Sequence, residues 1–262
     1  MIAGRVTAKA LLATADIFLP RLRGPRILIY HQVGSGRTHE MNIEPAAFRT
    51  QIDWMQTHGE IVSLEEAVKR RAERDAHRLF VLTFDDGYRD MYINAFPLLA
   101  RRGVPFTLYL TSGPIENPLC FPNWPGNALT WDEVRVMIDS GLVTVGAHTH
   151  SHPDLRHLTK EAVVDQLDRS NGLIAERTGV MPEHFTYPKG WWAEQAHGPV
   201  SMRYLTATLG AGSGITEGSD LYALNRVPIQ RTDAGTLFRR KVQTGGRLET
   251  RLRRWLHRYQ GP

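Results

Sequence analysis

Leu79-Phe80-Val81-Leu82-Thr83-Phe84-Asp85-Asp86-Gly87-Tyr88 is the stretch on which the fold turns. Its first six residues form a short run of apolar and β-branched side chains bounded by a turn, the pattern of a buried strand. The run stops at two adjacent carboxylates, and Asp86-Gly87 is by itself a common turn dipeptide. Neighbouring residues at a strand end point in different directions, so the two acids can take different roles.

Other segments repeat the pattern on either side. Arg26 to Tyr30 reads as a buried strand ending at His31, and a helix follows over about 45–58 with Phe48, Ile52 and Met55 on one face. Glu60-Ile61-Val62 reads as a short strand, 64–74 as a helix, and 91–102 as a helix closed by Gly103. Phe106 to Leu110 is the next strand, and 112–127 reads as a Pro/Gly/Asn-rich loop. Thr130 and Glu133 have capping-box spacing, which starts a helix that ends at Gly141. A strand over 142–147, a long helix over 160–177 and a strand over 184–187 closed by Pro188 come next, with weaker strands over 204–209 and 224–229.

Strands that alternate with helices pair in parallel. Seven or eight such units predict an α/β fold, a distorted (β/α)7-8 barrel, with a doubly wound open sheet as the alternative. The conspicuous polar residues stand just after strands: His31, Asp85 and Asp86, His148, and the turn from Tyr187 to Gly190. In a parallel barrel these positions share one rim.

The chain has 262 residues, 42% of them hydrophobic, enough for a sizeable core. No linker-like composition divides the middle, so we read one main domain, flanked by an amphipathic segment over 1–24 and a basic helix over 231–262. In the first segment Asp16 interrupts the apolar run and no small-residue cleavage site follows, which argues against a secretion signal. No stretch reaches the roughly 20 apolar residues needed to span a bilayer. The expectation is a cytoplasmic protein, resting peripherally on the inner membrane. The lone Cys120 excludes an internal disulfide and a multi-cysteine zinc site.

Charge is unevenly placed. Of 32 Lys/Arg and 27 Asp/Glu, nine and two lie in 231–262, leaving that segment at +7 and the remainder at −2. Arg239, Arg240, Lys241, Arg247, Arg251, Arg253, Arg254 and Arg258 alternate with Leu248, Leu252, Trp255 and Leu256 at helical spacing. The plain reading is a solvated terminal helix packed by its apolar stripe; the sharper one is attachment to anionic lipid or to an anionic polymer. No nucleic-acid motif accompanies the charge, so no nucleic-acid partner is expected.

His148-Thr149-His150-Ser151-His152 places three imidazoles within five residues after an apolar run. A helical turn would bring His148 and His152 to one side, whereas an extended segment would pair His148 with His150. Two imidazoles and one carboxylate with an open water position suit Zn2+, and Mn, Co or Ni use the same donors.

The two stretches together resemble the leading motifs of the polysaccharide deacetylases, the NodB-homology domain of carbohydrate esterase family four: TFDDG, then His-Ser/Thr-x-x-His. The resemblance covers about 25–230. It implies a NodB-like distorted barrel that removes an acetyl group from a sugar amide. It also implies Asp85 as general base and Asp86, His148 and His152 as metal ligands; His150 falls at a variable position. The family's Arg-containing third motif is reduced here to Phe185-Thr186-Tyr187-Pro188-Lys189-Gly190, so the Arg that orients the base is missing. The backbone N–H of Lys189 remains available as an oxyanion donor. The late Leu-x-His motif is also absent, since Leu224-Asn225-Arg226 lacks a histidine. Leu28-Ile29-Tyr30-His31-Gln32-Val33 instead resembles the Tyr-His motif of the circularly permuted poly-N-acetylglucosamine deacetylases, which implies His31 as general acid. Trp124, Trp191 and Trp192 are candidates to stack on sugar, while Trp131 reads as a helix anchor.

The expected substrate is an N-acetylhexosamine unit of an exopolysaccharide or its lipid-linked precursor. Rival readings are an O-acetyl esterase or non-sugar amide hydrolase, and a catalytically silent sugar-binding protein on the same barrel.

Overall fold

The computed structural model describes residues 22–121, 127–210, 212–246 and 248–249. The amphipathic segment expected over 1–24 lies almost wholly outside these residues, as do Trp124 and the end of the basic tail, with Arg247, Arg251, Arg253, Arg254 and Arg258.

Chain order runs β1 (Arg26–Tyr30), β2 (Gln32–Val33), β3 (Asn42–Ile43), α1 (Pro45–His58), β4 (Glu60–Ile61), α2 (Leu64–Lys69) and β5 (Leu79–Phe84). It continues through α3 (Phe96–Arg101), β6 (Phe106–Leu110), α4 (Ser112–Glu116), α5 (Trp131–Asp139), β7 (Val143–Ala147) and α6 (Lys160–Thr178). The last elements are β8 (His184–Thr186), α7 (Glu194–Ser201), β9 (Thr206–Leu209), β10 (Leu224–Pro228) and α8 (Gly235–Thr244). Most boundaries match the sequence pattern, and the expected capping box forms: Glu133 N–H donates to Thr130 Oγ1 at 3.2 Å and Thr130 N–H to Glu133 Oε2 at 2.9 Å. Three segments differ. The helix expected over 64–74 stops at Lys69, the helix over 91–102 begins with a wide π turn at Met91–Ala95, and the loop after Leu110 contains the short α4.

β1 and β5 through β10 close a seven-stranded parallel ring, because β1 pairs with both β5 and β10. The open doubly wound alternative is thereby excluded. The distortion sits at β5. Along one edge it pairs with β1; on the other, β4 takes Leu79 and Phe80 while β6 takes Thr83 and Phe84.

Alternation along each strand divides the side chains between two environments. Leu28, Tyr30, Phe80, Leu82, Phe84, Val145, Ala147 and Phe185 join one apolar cluster with the helical layer, where Tyr30 packs against Phe48 and Phe84. The intervening residues face inward. Ile27 and Val81 fill the lower interior, and Thr83, Thr107, Thr186, Thr208 and Arg226 make the rest of the interior polar, with the Arg226 guanidinium over the Tyr109 ring. An inward-facing row that begins apolar and ends polar delivers its last members to the rim.

α8 lies on α1 through an edge contact of Trp54 with Phe238, ring centroids 5.8 Å apart. Here the basic-tail reading needs correcting. Lys241 is buried, 2.7 Å from Asp233 and 2.9 Å from Glu249, so it anchors the helix and offers no charge to a surface. Removing one partner of a buried ion pair strands the other. Lys241→Ala should therefore destabilise the fold by about 3–5 kcal/mol. Denaturant unfolding measures this, and a loss under about 1 kcal/mol would contradict the structural role assigned to the pair.

Candidate metal centre

Each conspicuous rim residue reaches the same place. His31 follows β1, Asp85 and Asp86 follow β5, His148 follows β7, and the Pro188–Gly190 turn follows β8. All of them line one cavity of about 360 Å³. His152 joins them from the loop after His148.

Asp85 and Asp86 separate as their adjacency suggested. Asp85 continues the inward alternation of Val81 and Thr83. Asp86 adopts a left-handed backbone, φ 76°, which turns its carboxylate away from its neighbour's direction. A left-handed conformation in a non-glycine residue is strained and tends to mark functional turns.

Asp85 is gripped by Arg226. Nη1 lies 2.7 Å from Oδ1 and Nη2 2.7 Å from Oδ2, a two-pronged contact that fixes the carboxylate plane. Nη1 also donates to Thr83 Oγ1 at 2.9 Å and Nη2 to Thr186 Oγ1 at 2.6 Å. Burial pushes the Asp85 carboxyl up, but the Arg226 charge and hydrogen bonds, with smaller contributions from His148 and His31, hold it below its ordinary value. Arg226 is the functional residue that motif reading missed. The signal available was a cation in the middle of a strand, at an inward position between Leu224 and Pro228.

Asp86 Oδ1 points the other way, 3.4 Å from His148 Nε2 and 3.6 Å from His152 Nε2. Donor atoms of Asp86, His148 and His152 all lie within 4.8 Å of one another. The two imidazoles do not meet through a helical turn, nor does His148 pair with His150 through an extended one. Thr149 and His152 both take left-handed φ, 66° and 57°, and His152 N–H donates to Thr149 Oγ1 at 3.1 Å. This tight turn brings the rings to 4.7 Å between centroids. His150 faces outward, 3.1 Å from Ser112 Oγ and 2.9 Å from Arg169 Nη2.

Three features suit these residues to a divalent cation. Asp86 Oδ1 is buried and makes no hydrogen bond among the described residues. His148 Nδ1–H donates to the Thr186 carbonyl at 2.8 Å, which fixes the tautomer and leaves the Nε2 lone pair toward the cluster. Burial, together with the neighbouring His148, pushes the His152 imidazole down to about 4, so it is neutral and able to ligate at ordinary pH. Asp86 stays ionised, because His148, His152 and His31 outweigh the upward push of burial.

The rim carries Lys189 and the tryptophans. Lys189 has φ 61° and is the second residue of a one-turn helix, so its N–H has no partner within that turn. Its ammonium lies 3.6 Å from Asp154, away from the metal-ligand cluster. Gly190 is required here: a Cβ would come within 2.6 Å of the Gly210 backbone nitrogen. Trp191 lines the cavity with the Arg156 guanidinium 3.8 Å over its ring. Trp192 packs instead against Tyr187 and His197, and Trp131 anchors its helix by donating to Glu116 at 2.7 Å.

Comparison with known proteins agrees with this geometry. The family model described as polysaccharide deacetylase matches residues 72–202, half of the chain and the part that carries both motifs. The chain belongs to the polysaccharide deacetylase family. It is 24% identical over 219 residues to a Bacillus subtilis (strain 168) protein provisionally named polysaccharide deacetylase YxkH, covering 81% of this chain and 74% of that one. It is 29% identical over 162 residues to the poly-β-1,6-N-acetyl-D-glucosamine N-deacetylase of Staphylococcus epidermidis, covering 60% of this chain and 53% of that one. The chain thus spans about half the length of that relative. Among solved structures, a polysaccharide deacetylase from Bacillus cereus superposes with a TM-score of 0.72 at 22% identity, over 85% of this chain and 70% of that one. IcaB from Ammonifex degensii superposes with a TM-score of 0.69 at 22% identity, over 87% and 97%. These likenesses establish the shared barrel.

The cluster makes a direct prediction for this enzyme. Equilibrium dialysis against Zn2+ should find about one tightly held ion per chain. His148→Ala and His152→Ala should each weaken it by more than the roughly 10–100-fold that loss of an outer partner causes. Asp85→Asn should bind at about the wild-type affinity; a loss equal to that of the histidine variants would contradict the division between the two acids.

Proposed function

We propose that the chain is a metal-dependent deacetylase that hydrolyses N-acetyl groups on N-acetylhexosamine units of a polysaccharide. The observation that carries this reading is the separation of neighbouring acids. Asp86 joins two imidazoles, while Asp85 is held beside them by Arg226, ionised and free of the cluster.

Asp86, His148 and His152 would hold the cation. A divalent ion there, Zn2+ being the best match to these donors, supplies Lewis acidity that polarises a carbonyl and lowers the pKa of water. Asp85 accepts the proton of the water that attacks the acetyl carbon. Its orientation is fixed by both Arg226 nitrogens, so the lone pair that takes the proton is already aimed. The Lys189 N–H stabilises the oxyanion that develops on the carbonyl oxygen. Protonated His31 gives its proton to the leaving nitrogen as the C–N bond breaks, a step that an amide requires because an amine anion leaves poorly. The products are acetate and a free amino sugar.

The named relatives support an N-acetylated glucan as substrate, and Trp191 offers an apolar ring on which a sugar face can stack. A lipid-linked form of that substrate, handled at the inner face of the membrane, belongs to the same proposal; its support is the basic excess in 231–262, less the buried Lys241.

Acetate release from N-acetylglucosamine oligomers tests the reading. The Zn2+-loaded enzyme should release acetate and chelator-stripped enzyme should not, with recovery on adding Zn2+ back. His31→Ala should retain its metal and lose at least about 100-fold in kcat, within the range ascribed to general acid catalysis. Full activity in that variant would remove His31 from the scheme. Arg226→Met adds a pH test. Without the guanidinium, burial is opposed only by the smaller contributions of His148 and His31 and raises the Asp85 carboxyl, and the base works only when ionised. The acidic limb of kcat/KM should therefore move to higher pH. An unmoved limb would mean that Asp85 is not the base.

A further inference from the structure

We propose that Gln230 selects an amide over an ester in this cavity, its side-chain carbonyl accepting the N–H of the scissile acetamido group. The inference rests on the deacetylation reading above and answers a question which that reading leaves open, because metal, base and acid would serve an O-acetyl ester equally well.

Gln230 is placed by strand alternation. On β10 the inward positions are Leu224, Arg226 and Pro228, and two residues further the chain reaches Gln230, which lines the same cavity. β1 and β10 pair in parallel with Ile29 opposite Pro228. Just past these paired strands, His31 and Gln230 both line the cavity. Same-face neighbours on adjacent strands stand close enough for their side chains to share a target. The nitrogen that receives a proton from His31 therefore lies within reach of Gln230.

The backbone around Gln230 is fixed. Ile229 N–H donates to the Ile29 carbonyl at 2.9 Å, Gln230 N–H to Asp233 Oδ2 at 2.8 Å, and Arg231 N–H to the Glu40 carbonyl at 2.7 Å. Asp233 is itself held by the buried Lys241. None of these bonds uses the Gln230 side chain. That residue is 5% exposed, and its Oε1 is buried without a hydrogen-bond partner among the described residues. A buried acceptor left unmet is unfavourable, and such a group in a cavity lining points to a donor brought by a ligand.

The two carboxylates that line the cavity are committed elsewhere. Both oxygens of Asp85 are bonded by Arg226, and Asp86 belongs to the metal cluster. An N-acetyl group brings one N–H that must find a partner, and Gln230 Oε1 is the acceptor next to the acid that serves the same nitrogen. An O-acetyl ester has only lone pairs at that position. It leaves Oε1 unmet and sets two acceptors facing each other, the situation in which a hydrogen-bonding site discriminates strongly.

The test uses the Zn2+-loaded full chain and compares kcat/KM for acetate release from N-acetylglucosamine oligomers and from an O-acetylated xylo-oligosaccharide. The amide-to-ester ratio within one sample cancels differences in folded fraction and metal occupancy. Gln230→Met should lower that ratio by about tenfold or more, whereas Gln230→Glu, which keeps an acceptor, should stay within about threefold of wild type. A second measurement needs no variant: wild-type enzyme should lose about tenfold or more when the acetamido nitrogen of the oligomer is methylated and has no N–H. An unchanged ratio in Gln230→Met, an equal fall in Gln230→Glu, or indifference to N-methylation would overturn the role of Gln230 while leaving deacetylation standing. A wild-type enzyme that releases acetate from neither substrate would overturn the deacetylation reading and this inference with it.

Discussion

A guanidinium inside a closed barrel has few tolerable solutions, and the one adopted here organises the site. Arg226 is fully buried and reaches Asp85 with both terminal nitrogens, while Thr83 and Thr186 each accept a further hydrogen bond from one of those nitrogens. Burying either charge alone would be strongly unfavourable, so each holds the other in place. The consequence is geometric. Asp85 cannot swing toward the histidines without abandoning a buried cation, and Asp86 is left to join them alone. Two identical side chains next to each other in sequence become different chemical groups because one of them is committed to Arg226.

The barrel makes that commitment possible. Arg226 and Asp85 are 141 residues apart and meet only because β1 stands between their strands, paired with β5 on one side and β10 on the other. The same closure sets the ends of β1, β5, β7 and β8 around one cavity and lets the Thr186 carbonyl on β8 fix the tautomer of His148 on β7. Inner side chains that change from apolar to polar along the strands give the site a dry floor and a polar rim.

Much of this was legible beforehand. Runs such as Leu79–Phe84 and Phe106–Leu110 carry their own strand signal, and acids and imidazoles placed just after such runs belong on a shared rim. What stayed hidden depends on long-range pairing or on backbone states that L-residues disfavour. Arg226 looked like a failed histidine motif, because its partner is specified by ring closure and not by neighbours in sequence. The spacing of His148 and His152 allowed a helical or an extended turn; the actual turn uses left-handed Thr149 and His152, which no propensity would choose. Asp86 and Lys189 share that backbone state, so all four non-glycine residues with positive φ among the described residues lie in or beside the site. Lys241 shows the limit of counting charges: composition assigned it to a basic surface, and packing placed it in a buried ion pair.

The most direct test of the account is an anomalous diffraction map of Zn2+-loaded crystals collected at the zinc edge. The account predicts a single strong peak among Asp86 Oδ1, His148 Nε2 and His152 Nε2, with the Asp85 carboxylate still bonded to Arg226. A peak ligated by Asp85, with Arg226 released, or no peak at the cluster, would contradict it.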